Sequence, residues 1–255
     1  LDNAFSRSRA RMPSQQDKPQ KQQIDLQKRI IFALDLPQAD LAREWVQRLG
    51  PRLRFYKVGW ELFLAAGWEI VHWIAEQGCE VMLDLKFYDV PRTVQQAMHQ
   101  VGSHPVSLVT VHGNQAILQA AQQANGQSKI LAVTVLTSLD QEDLADMGFP
   151  CSPKELVLHR AAQALKSGCS GVVCSGEELA LLRQSLGPDF LTVVPGVRPQ
   201  AQQGDDQKRI VSIKEAFALG ADHVVLGRPL RESQDPQRLL RSLQEDIQKQ
   251  LPAAS

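Results

Sequence analysis

The chain alternates eight short apolar runs with eight longer amphipathic stretches, and this alternation restricts its possible folds more than any other feature. Most of the apolar runs are rich in Val, Ile and Leu, which is typical of strands buried on both faces. The longer stretches have the periodicity of helices, and several are followed by the glycine that commonly ends a helix. The predicted strands are 29–35, 54–59, 80–86, 107–113, 129–138, 171–175, 190–198 and 223–229.

Eight strand–helix units in a chain of this length suit a single barrel domain. An open, doubly wound parallel sheet shares the alternation and is the main alternative. Polar residues near the ends of the strands, His112 and Ser175 among them, favour the barrel, which would gather them into one ring. No G-x-G-x-x-G fingerprint follows the first strand. We predict an α/β fold, a (β/α)8 TIM barrel, with helices at 38–49, 61–77, 92–101, 115–124, 153–166, 177–186, 213–219 and 236–250.

The composition gives no indication of nucleic-acid binding or of a membrane span. The 255 residues include 28 Lys and Arg and 28 Asp and Glu, and no apolar run is long enough to cross a bilayer. The four cysteines, at 79, 151, 169 and 174, lack the spacing of a zinc site or disulfide framework. We therefore expect reduced thiols in a cytoplasmic protein.

Residues 1–28 differ in composition from the remainder of the chain. This segment is rich in Arg, Lys, Gln, Ser and Pro and has few apolar residues to bury. An organelle-targeting peptide is one interpretation, whereas a secretory signal would need an apolar segment. We predict a disordered or flexible extension at 1–28 and a single catalytic barrel domain at 29–255.

The segment 84–89, with the sequence DLKFYD, places two carboxylates and one ammonium directly after an apolar run. On a strand, Asp84 and Lys86 point to the same face, whereas Leu83 and Leu85 point to the other. Buried charges are costly unless they are paired or used in catalysis. By itself the motif is therefore equally compatible with a structural ion pair and with a catalytic site.

Two further charges fall in the same predicted ring of strand ends. Asp35 ends the first strand, and Lys57 lies inside the second. Taken singly, Asp35 could cap a helix, and Lys57 could extend its ammonium to solvent. Together with Asp84, Lys86 and Asp89 they predict an array of alternating charge, in which each ammonium is held between carboxylates.

The ends of the last two strands have the composition of a phosphate site. Barrels often bind phosphate with the loops after strands 7 and 8, and here these positions hold Arg198 and the pair Gly227–Arg228. Glycine allows close approach of the backbone, and arginine offers a planar fork for phosphate oxygens. A polar loop at 199–209, which includes Gln207, is a candidate lid. The alternative is an ordinary turn with a solvated arginine.

The order and spacing of these motifs resemble the orotidine 5'-phosphate decarboxylase family, and especially its bacterial branch. The resemblance extends from about residue 30 to residue 244. No single motif is specific, but the whole series is. It comprises 33–35 (ALD), 57–59 (KVG), 84–93 (DLKFYDVPRT), 111–112 (VH), 135–138 (VLTS), 172–175 (VVCS), 195–199 (PGVRP), 206–209 (DQKR) and 227–229 (GRP).

The resemblance implies a cofactor-free and metal-free decarboxylation of orotidine 5'-phosphate, the last step of uridine 5'-phosphate synthesis. Lys86 would protonate C6 of the pyrimidine, and Asp84 would lie beside the carboxylate that leaves. The remaining implied contacts are Asp35 and Lys57 with the ribose, Thr137 and Ser138 with the base, and Gln207, Gly227 and Arg228 with the phosphate, with Arg198 nearby.

The resemblance also implies a homodimer in which Asp89 and Thr93 reach the site of the neighbouring subunit. Two positions differ from the usual bacterial pattern, which has His at the position of Tyr88 and Asn at that of Arg92. Because neither position transfers the proton, the implied activity does not depend on them. Arg92 could alter contacts at the dimer interface or the rim of the site.

Three other functions are compatible with parts of the sequence. Related sugar-phosphate lyases share the D-x-K-x-x-D motif, but they bind Mg²⁺ through an acidic residue where this chain has Lys57, and a lysine would repel the ion. A nucleotide-phosphate sensor would have no need of Asp84 or Lys86. A barrel isomerase of amino-acid synthesis would share only the phosphate end.

Overall fold

A computed structural model of the protein describes residues 24–124, 126–197 and 211–251. Within these ranges eight parallel strands close into a barrel in chain order, with β8 paired to β1. The predicted (β/α)8 barrel is confirmed. The strands are β1 (Ile30–Ala33), β2 (Phe55–Gly59), β3 (Glu80–Phe87), β4 (Leu108–His112), β5 (Lys129–Val133), β6 (Gly171–Val173), β7 (Leu191–Val194) and β8 (His223–Leu226).

Helices follow the strands and pack around the barrel. The eight predicted helices are present, and the described residues add three short ones: α1, α6 and α10. In chain order the helices are α1 (Leu26–Arg29), α2 (Ala39–Leu49), α3 (Trp60–Glu76), α4 (Pro91–Val101), α5 (Gln115–Gln123), α6 (Gln141–Asp146), α7 (Pro153–Lys166), α8 (Leu179–Leu186), α9 (Ile213–Ala218), α10 (Arg228–Arg231) and α11 (Pro236–Gln250).

The fifth strand is shorter than the sequence indicates. The prediction extended it to Ser138, but β5 ends at Val133, where its pairing with the three-residue β6 also ends. The apolar pattern continues beyond this point because several of the following residues line a cleft, so periodicity alone cannot mark the strand end. Residues 134–140 form a loop that leads into α6, whose first turn is capped by Asp140.

Apolar side chains form two layers, one between the strands and helices and a smaller one inside the barrel. The inner layer includes Ile31, Phe55, Met82, Leu108 and Val225. Because side chains alternate along a strand, the inward position two or four residues later lies at the carboxyl end of the barrel. Those later positions hold Asp35, Lys57, Asp84, Thr110 and Gly227.

Some expectations concern parts of the chain that the structure does not describe. Residues 1–23 of the predicted extension, Arg198, Gln207 and all of the candidate lid lie outside the described ranges. All four cysteines are described, and no disulfide joins any of them. Among the described helices none is both long and apolar enough to cross a membrane.

Candidate active site

A cleft of about 510 Å³ opens at the carboxyl ends of the strands. Most of the site residues predicted from the sequence line it, and they come from loops and strands distant in the chain. A larger cavity, of about 840 Å³, lies at the opposite end, around the first residues of several strands. The smaller cleft contains the predicted residues Asp35, Lys57, Asp84, Lys86, Thr137, Ser138, Gly227 and Arg228.

Four charged side chains form a chain of ion pairs along one wall of this cleft. The Lys57 ammonium lies 2.7 Å from an Asp35 carboxylate oxygen and 3.7 Å from Asp84 Oδ2. The Lys86 ammonium lies 2.9 Å from that same Asp84 oxygen. The order is therefore Asp35–Lys57–Asp84–Lys86, with charges of alternating sign as predicted.

Burial differs along this array and divides it into two parts. Lys57 and Asp84 are nearly enclosed, with 11% and 13% of their side chains exposed. Lys86 and Asp35, at the two ends, are 36% and 43% exposed. The centre therefore holds a fixed pair of opposite charges, whereas the Lys86 ammonium remains accessible from the cleft.

Asp84 is held in its charged form. Burial alone would raise the pKa of this carboxyl, but the positive charges of Lys57 and Lys86 outweigh burial. Hydrogen bonds from Lys86 and from the Thr110 hydroxyl, at 2.9 Å each, act in the same direction. The pKa of Asp84 is consequently below its usual value, and a carboxylate faces the cleft at neutral pH.

Thr110 is a site residue that the sequence analysis missed. Its buried hydroxyl donates to Asp84 and accepts a hydrogen bond from the main-chain N–H of Lys86 at 2.9 Å. Thr110 thereby joins the side chain of Asp84 to the backbone of Lys86. Its signal in the sequence is only a hydroxyl within the apolar run LVTVH.

Lys86 has an uncommon backbone conformation, with φ of 48°. Its strand shifts register against β4 between Leu83 and Phe87, so that four steps along β3 match two along β4. A left-handed conformation costs a non-glycine residue about 1–2 kcal/mol. The Thr110 hydroxyl satisfies the Lys86 N–H in this irregular stretch. Strain of this kind is commonly retained where a side chain must point in a functional direction.

Gly59 allows the Lys57–Asp35 pair to sit against the end of β2. A Cβ at this position would lie 3.1 Å from the Lys57 ammonium and 3.2 Å from an Asp35 carboxylate oxygen. A larger residue would therefore press on the ion pair. The absence of a side chain at Gly59 thus leaves room for the ion pair.

The structure does not bring every predicted residue to the array. Asp89 is exposed beyond the end of β3, outside the array formed by Asp35, Lys57, Asp84 and Lys86, and it accepts a 2.6 Å hydrogen bond from the Val90 N–H. Thr93 is exposed near the start of α4. His112 and Ser175 were placed in the ring of strand ends, but they are not among the residues that line the cleft.

Nowhere in residues 24–124, 126–197 and 211–251 do three or more His, Cys, Asp or Glu side chains come together as a candidate metal site. The acidic groups of the cleft are instead matched with lysines. Arg231, which the sequence analysis did not single out, also lines the cleft close to Arg228.

The fold and the cleft place the chain among (β/α)8-barrel enzymes that carry alternating lysines and carboxylates at the strand ends. Its residues 28–243 match the model of the orotidine 5'-phosphate decarboxylase / HUMPS family. The chain belongs to this family, and the resemblance identified from the sequence is confirmed.

Curated relatives and a solved structure agree with this assignment. The chain is 47% identical over 226 residues to "Orotidine 5'-phosphate decarboxylase" of Methylococcus capsulatus, covering 88% of this chain and 93% of the relative. It is 46% identical to the protein of that name from Xanthomonas euvesicatoria, with the same coverages. The crystal structure of orotidine 5'-phosphate decarboxylase from Lactobacillus acidophilus has a TM-score of 0.76 and 31% identity, covering 86% of this chain and 98% of that one.

Proposed function

We propose that the protein converts orotidine 5'-phosphate to uridine 5'-phosphate and carbon dioxide without a cofactor, as the last step of pyrimidine nucleotide synthesis. The observation that carries this proposal is the accessible Lys86 ammonium, held 2.9 Å from the buried Asp84 carboxylate in the cleft. Membership of the family and the names of relatives that match most of the chain support it.

The reaction breaks the bond between C6 and the carboxylate, leaving the electron pair on C6. Lys86 stabilises this charge with its ammonium and then transfers a proton from Nζ to C6. Solvent reprotonates the neutral amine after product release. Asp84, charged and adjacent, faces the substrate carboxylate and favours its departure as neutral carbon dioxide.

The remaining cleft residues bind the parts of the nucleotide that do not react. Asp35 and Lys57 contact the ribose hydroxyls, and Thr137 and Ser138 contact the base. Gly227 and Arg228 hold the phosphate, together with Gln207 and with Arg198 nearby. Energy from these distant contacts can be used to hold the substrate in the reactive geometry at Lys86.

Lys57 also distinguishes this proposal from the metal-dependent sugar-phosphate lyases. Its ammonium lies between the Asp35 and Asp84 carboxylates, at 2.7 and 3.7 Å, where it already neutralises them. A divalent cation placed among the same oxygens would meet a fixed positive charge. The donor set therefore favours the cofactor-free reaction.

A spectrophotometric assay tests the activity directly. The absorbance change on conversion of orotidine 5'-phosphate to uridine 5'-phosphate is measured with the full chain, with and without EDTA. We expect equal turnover in both. Complete loss in EDTA with recovery on adding Mg²⁺ would instead assign a metal-dependent reaction.

We further propose that the active form is a homodimer in which Asp89 and Thr93 complete the site of the partner. Asp89 and Thr93 are exposed and point to no ammonium of their own array. Large apolar side chains at the same end of the barrel are also exposed, after the neighbouring strands β2 and β3. They are Trp60, Leu64, Tyr88 and Val90. Covering such a surface with a second copy removes apolar area from water.

Subunit complementation tests the shared site. Lys86→Ala and Asp89→Asn each inactivate the homodimer, but a mixed dimer contains one site with neither change. Co-expression of the two variants restores turnover if Asp89 acts across the interface. No recovery in a mixed dimer verified by mass spectrometry would assign Asp89 to its own barrel.

A further inference from the structure

Arg231 occupies a position between the two ends of the proposed substrate site. It is the last residue of α10, it lines the cleft, and its guanidinium Nη1 donates a hydrogen bond to the main-chain oxygen of Asp35. This bond joins α10, which follows β8, to the loop after β1, across 196 residues of sequence. None of the sequence motifs that identify the family includes Arg231.

The backbone of Arg231 is tied to the proposed phosphate-binding turn. The N–H groups of Leu230 and Arg231 both donate to the Gly227 carbonyl, at 3.1 and 3.2 Å. Arg231 is thus one helical turn from Gly227 and Arg228. Its backbone is fixed at the phosphate end, while its side chain reaches the start of the charged array.

The hydrogen bond from Arg231 matters for the array because the side chain of Asp35 binds Lys57. The Asp35 carboxylate holds the Lys57 ammonium at 2.7 Å, yet Asp35 itself lies beyond the end of β1, outside the strand ladder. A partly exposed aspartate in a loop would be free to rotate, and its carboxylate could then bind water in place of Lys57. A hydrogen bond from a rigid, charged donor to its carbonyl restricts that motion.

We propose that Arg231 is a positioning residue, which sets the Asp35 backbone so that the Asp35 carboxylate holds Lys57 against Asp84. This proposal rests on the proposed function, because it assigns Arg231 to the same site. Arg231 acts through Asp35 and not by binding the phosphate. Small displacements of groups that position a substrate cost large factors in rate.

The experiment compares Arg231→Met, which keeps an unbranched apolar side chain and removes the guanidinium donors, with Arg238→Met as a matched control. Arg238 is an exposed arginine on the next helix, α11, outside the cleft. Each variant is assayed with orotidine 5'-phosphate and with the nucleoside lacking the phosphate. The nucleoside is also assayed with phosphite added.

We expect Arg231→Met to lower kcat/KM by about tenfold for both substrates, because Asp35 and Lys57 serve the nucleoside part that both contain. The activation by phosphite should remain as in the parent, and Arg238→Met should change nothing. If the nucleoside reacts normally and only phosphite activation falls, Arg231 binds the phosphate and the proposal is wrong. An unchanged kcat/KM for both substrates would also overturn it.

A double-mutant cycle with Asp35→Ala provides a second readout. If Arg231 acts only through Asp35, then Arg231→Met lowers kcat/KM by a much smaller factor in the Asp35→Ala background than in the parent. Independent, additive losses would contradict the proposal. A purely structural role of Arg231 would give the same loss in both backgrounds.

Hydrogen exchange separates failure of this proposal from failure of the proposed function. The Leu34 N–H donates to the Lys57 carbonyl at 3.0 Å, and the Leu36 N–H donates to the Leu34 carbonyl at 3.0 Å. Arg231→Met should speed exchange at these amides, whereas Arg238→Met should not. This outcome does not require turnover, so unchanged exchange would overturn the proposal even in an enzyme with a different substrate.

Discussion

The two ends of the barrel both bury charged side chains, but these charges have different kinds of partner. At the amino-terminal end, Arg183 donates to the carbonyls of Gly220 and Phe190 and forms a 2.9 Å ion pair with Asp222. Asp222 also accepts the main-chain N–H of Thr192 at 2.9 Å. The guanidinium is thus used to connect loops, and the charges face protein groups.

At the carboxyl-terminal end the charges face the cleft. Lys86 is more than one-third exposed, and its carboxylate partner at the centre of the row of ion pairs, Asp84, is nearly enclosed. The candidate site is therefore the smaller cavity, which holds the Asp35–Lys57–Asp84–Lys86 array. Cavity volume measures space, whereas catalysis needs a fixed charge with an accessible reactive atom.

Replacing Lys86 is expected to have the largest effect on activity. It should show most clearly that the carboxyl-terminal end of the barrel carries the catalysis. Loss of the general acid in Lys86→Ala should lower kcat by at least about 10²–10⁴-fold, while the circular dichroism spectrum and melting temperature change little. Lys129→Ala, which removes an exposed lysine at the other end of the barrel, is the control and should remain active. Activity of Lys86→Ala within tenfold of the parent would exclude Lys86 as the acid.

Replacing Arg183 should produce the opposite result. Arg183→Met removes the ion pair from a buried Asp222 and leaves several carbonyls without their donor, which should lower the free energy of unfolding by about 3–5 kcal/mol. Urea titration measures this loss. Assayed well below its melting temperature, the folded variant should keep the parental kcat. A loss below about 1 kcal/mol would show that the network is not structural.

Replacing Arg228 tests whether phosphate binding and the charged array are separate parts of the cleft. A lost charge-assisted hydrogen bond of about 1.5–3 kcal/mol predicts a roughly 10- to 150-fold lower kcat/KM for orotidine 5'-phosphate in Arg228→Ala. The nucleoside without phosphate should react as in the parent. Equal losses with both substrates would assign Arg228 to the array and not to the phosphate.

The smallest expected effect concerns pH and the amino-terminal end. Burial lowers the pKa of His223, despite a 2.8 Å contact between its Nδ1 and the Lys28 carbonyl and the nearby acids. Between the lowered folded pKa and the ordinary value of 6.5, the unfolded state binds more protons, so stability rises with pH in that window.

One such group contributes a slope of at most about 1.4 kcal/mol per pH unit. Urea titrations at pH 7.5 and pH 5.5 should show a larger difference for the parent than for His223→Gln. Identical differences would mean that His223 does not titrate on unfolding. When they are compared at the same fraction of folded protein, the parent and His223→Gln should have equal activity.

Much of the fold and part of the site could be predicted from local sequence patterns. The eight strands were recognised because buried parallel strands are apolar throughout, and the pair Asp84 and Lys86 because alternate residues share a face. The end of β5 was missed because the apolar pattern continues along the cleft wall. Thr110 was missed because a hydroxyl in an apolar run does not reveal which carboxylate it will contact.

The sequence by itself determined the barrel, the charges at its strand ends and the family, since these depend on periodicity, residue type and order. Only the tertiary structure decided which charges meet. It joined Asp35 to Lys57 and Asp84 to Thr110, left Asp89 outside the array, and brought Arg231 back to Asp35. The physical reason is that ion pairs and hydrogen bonds act over a few ångströms, and closure of the barrel alone brings residues distant in sequence within that range.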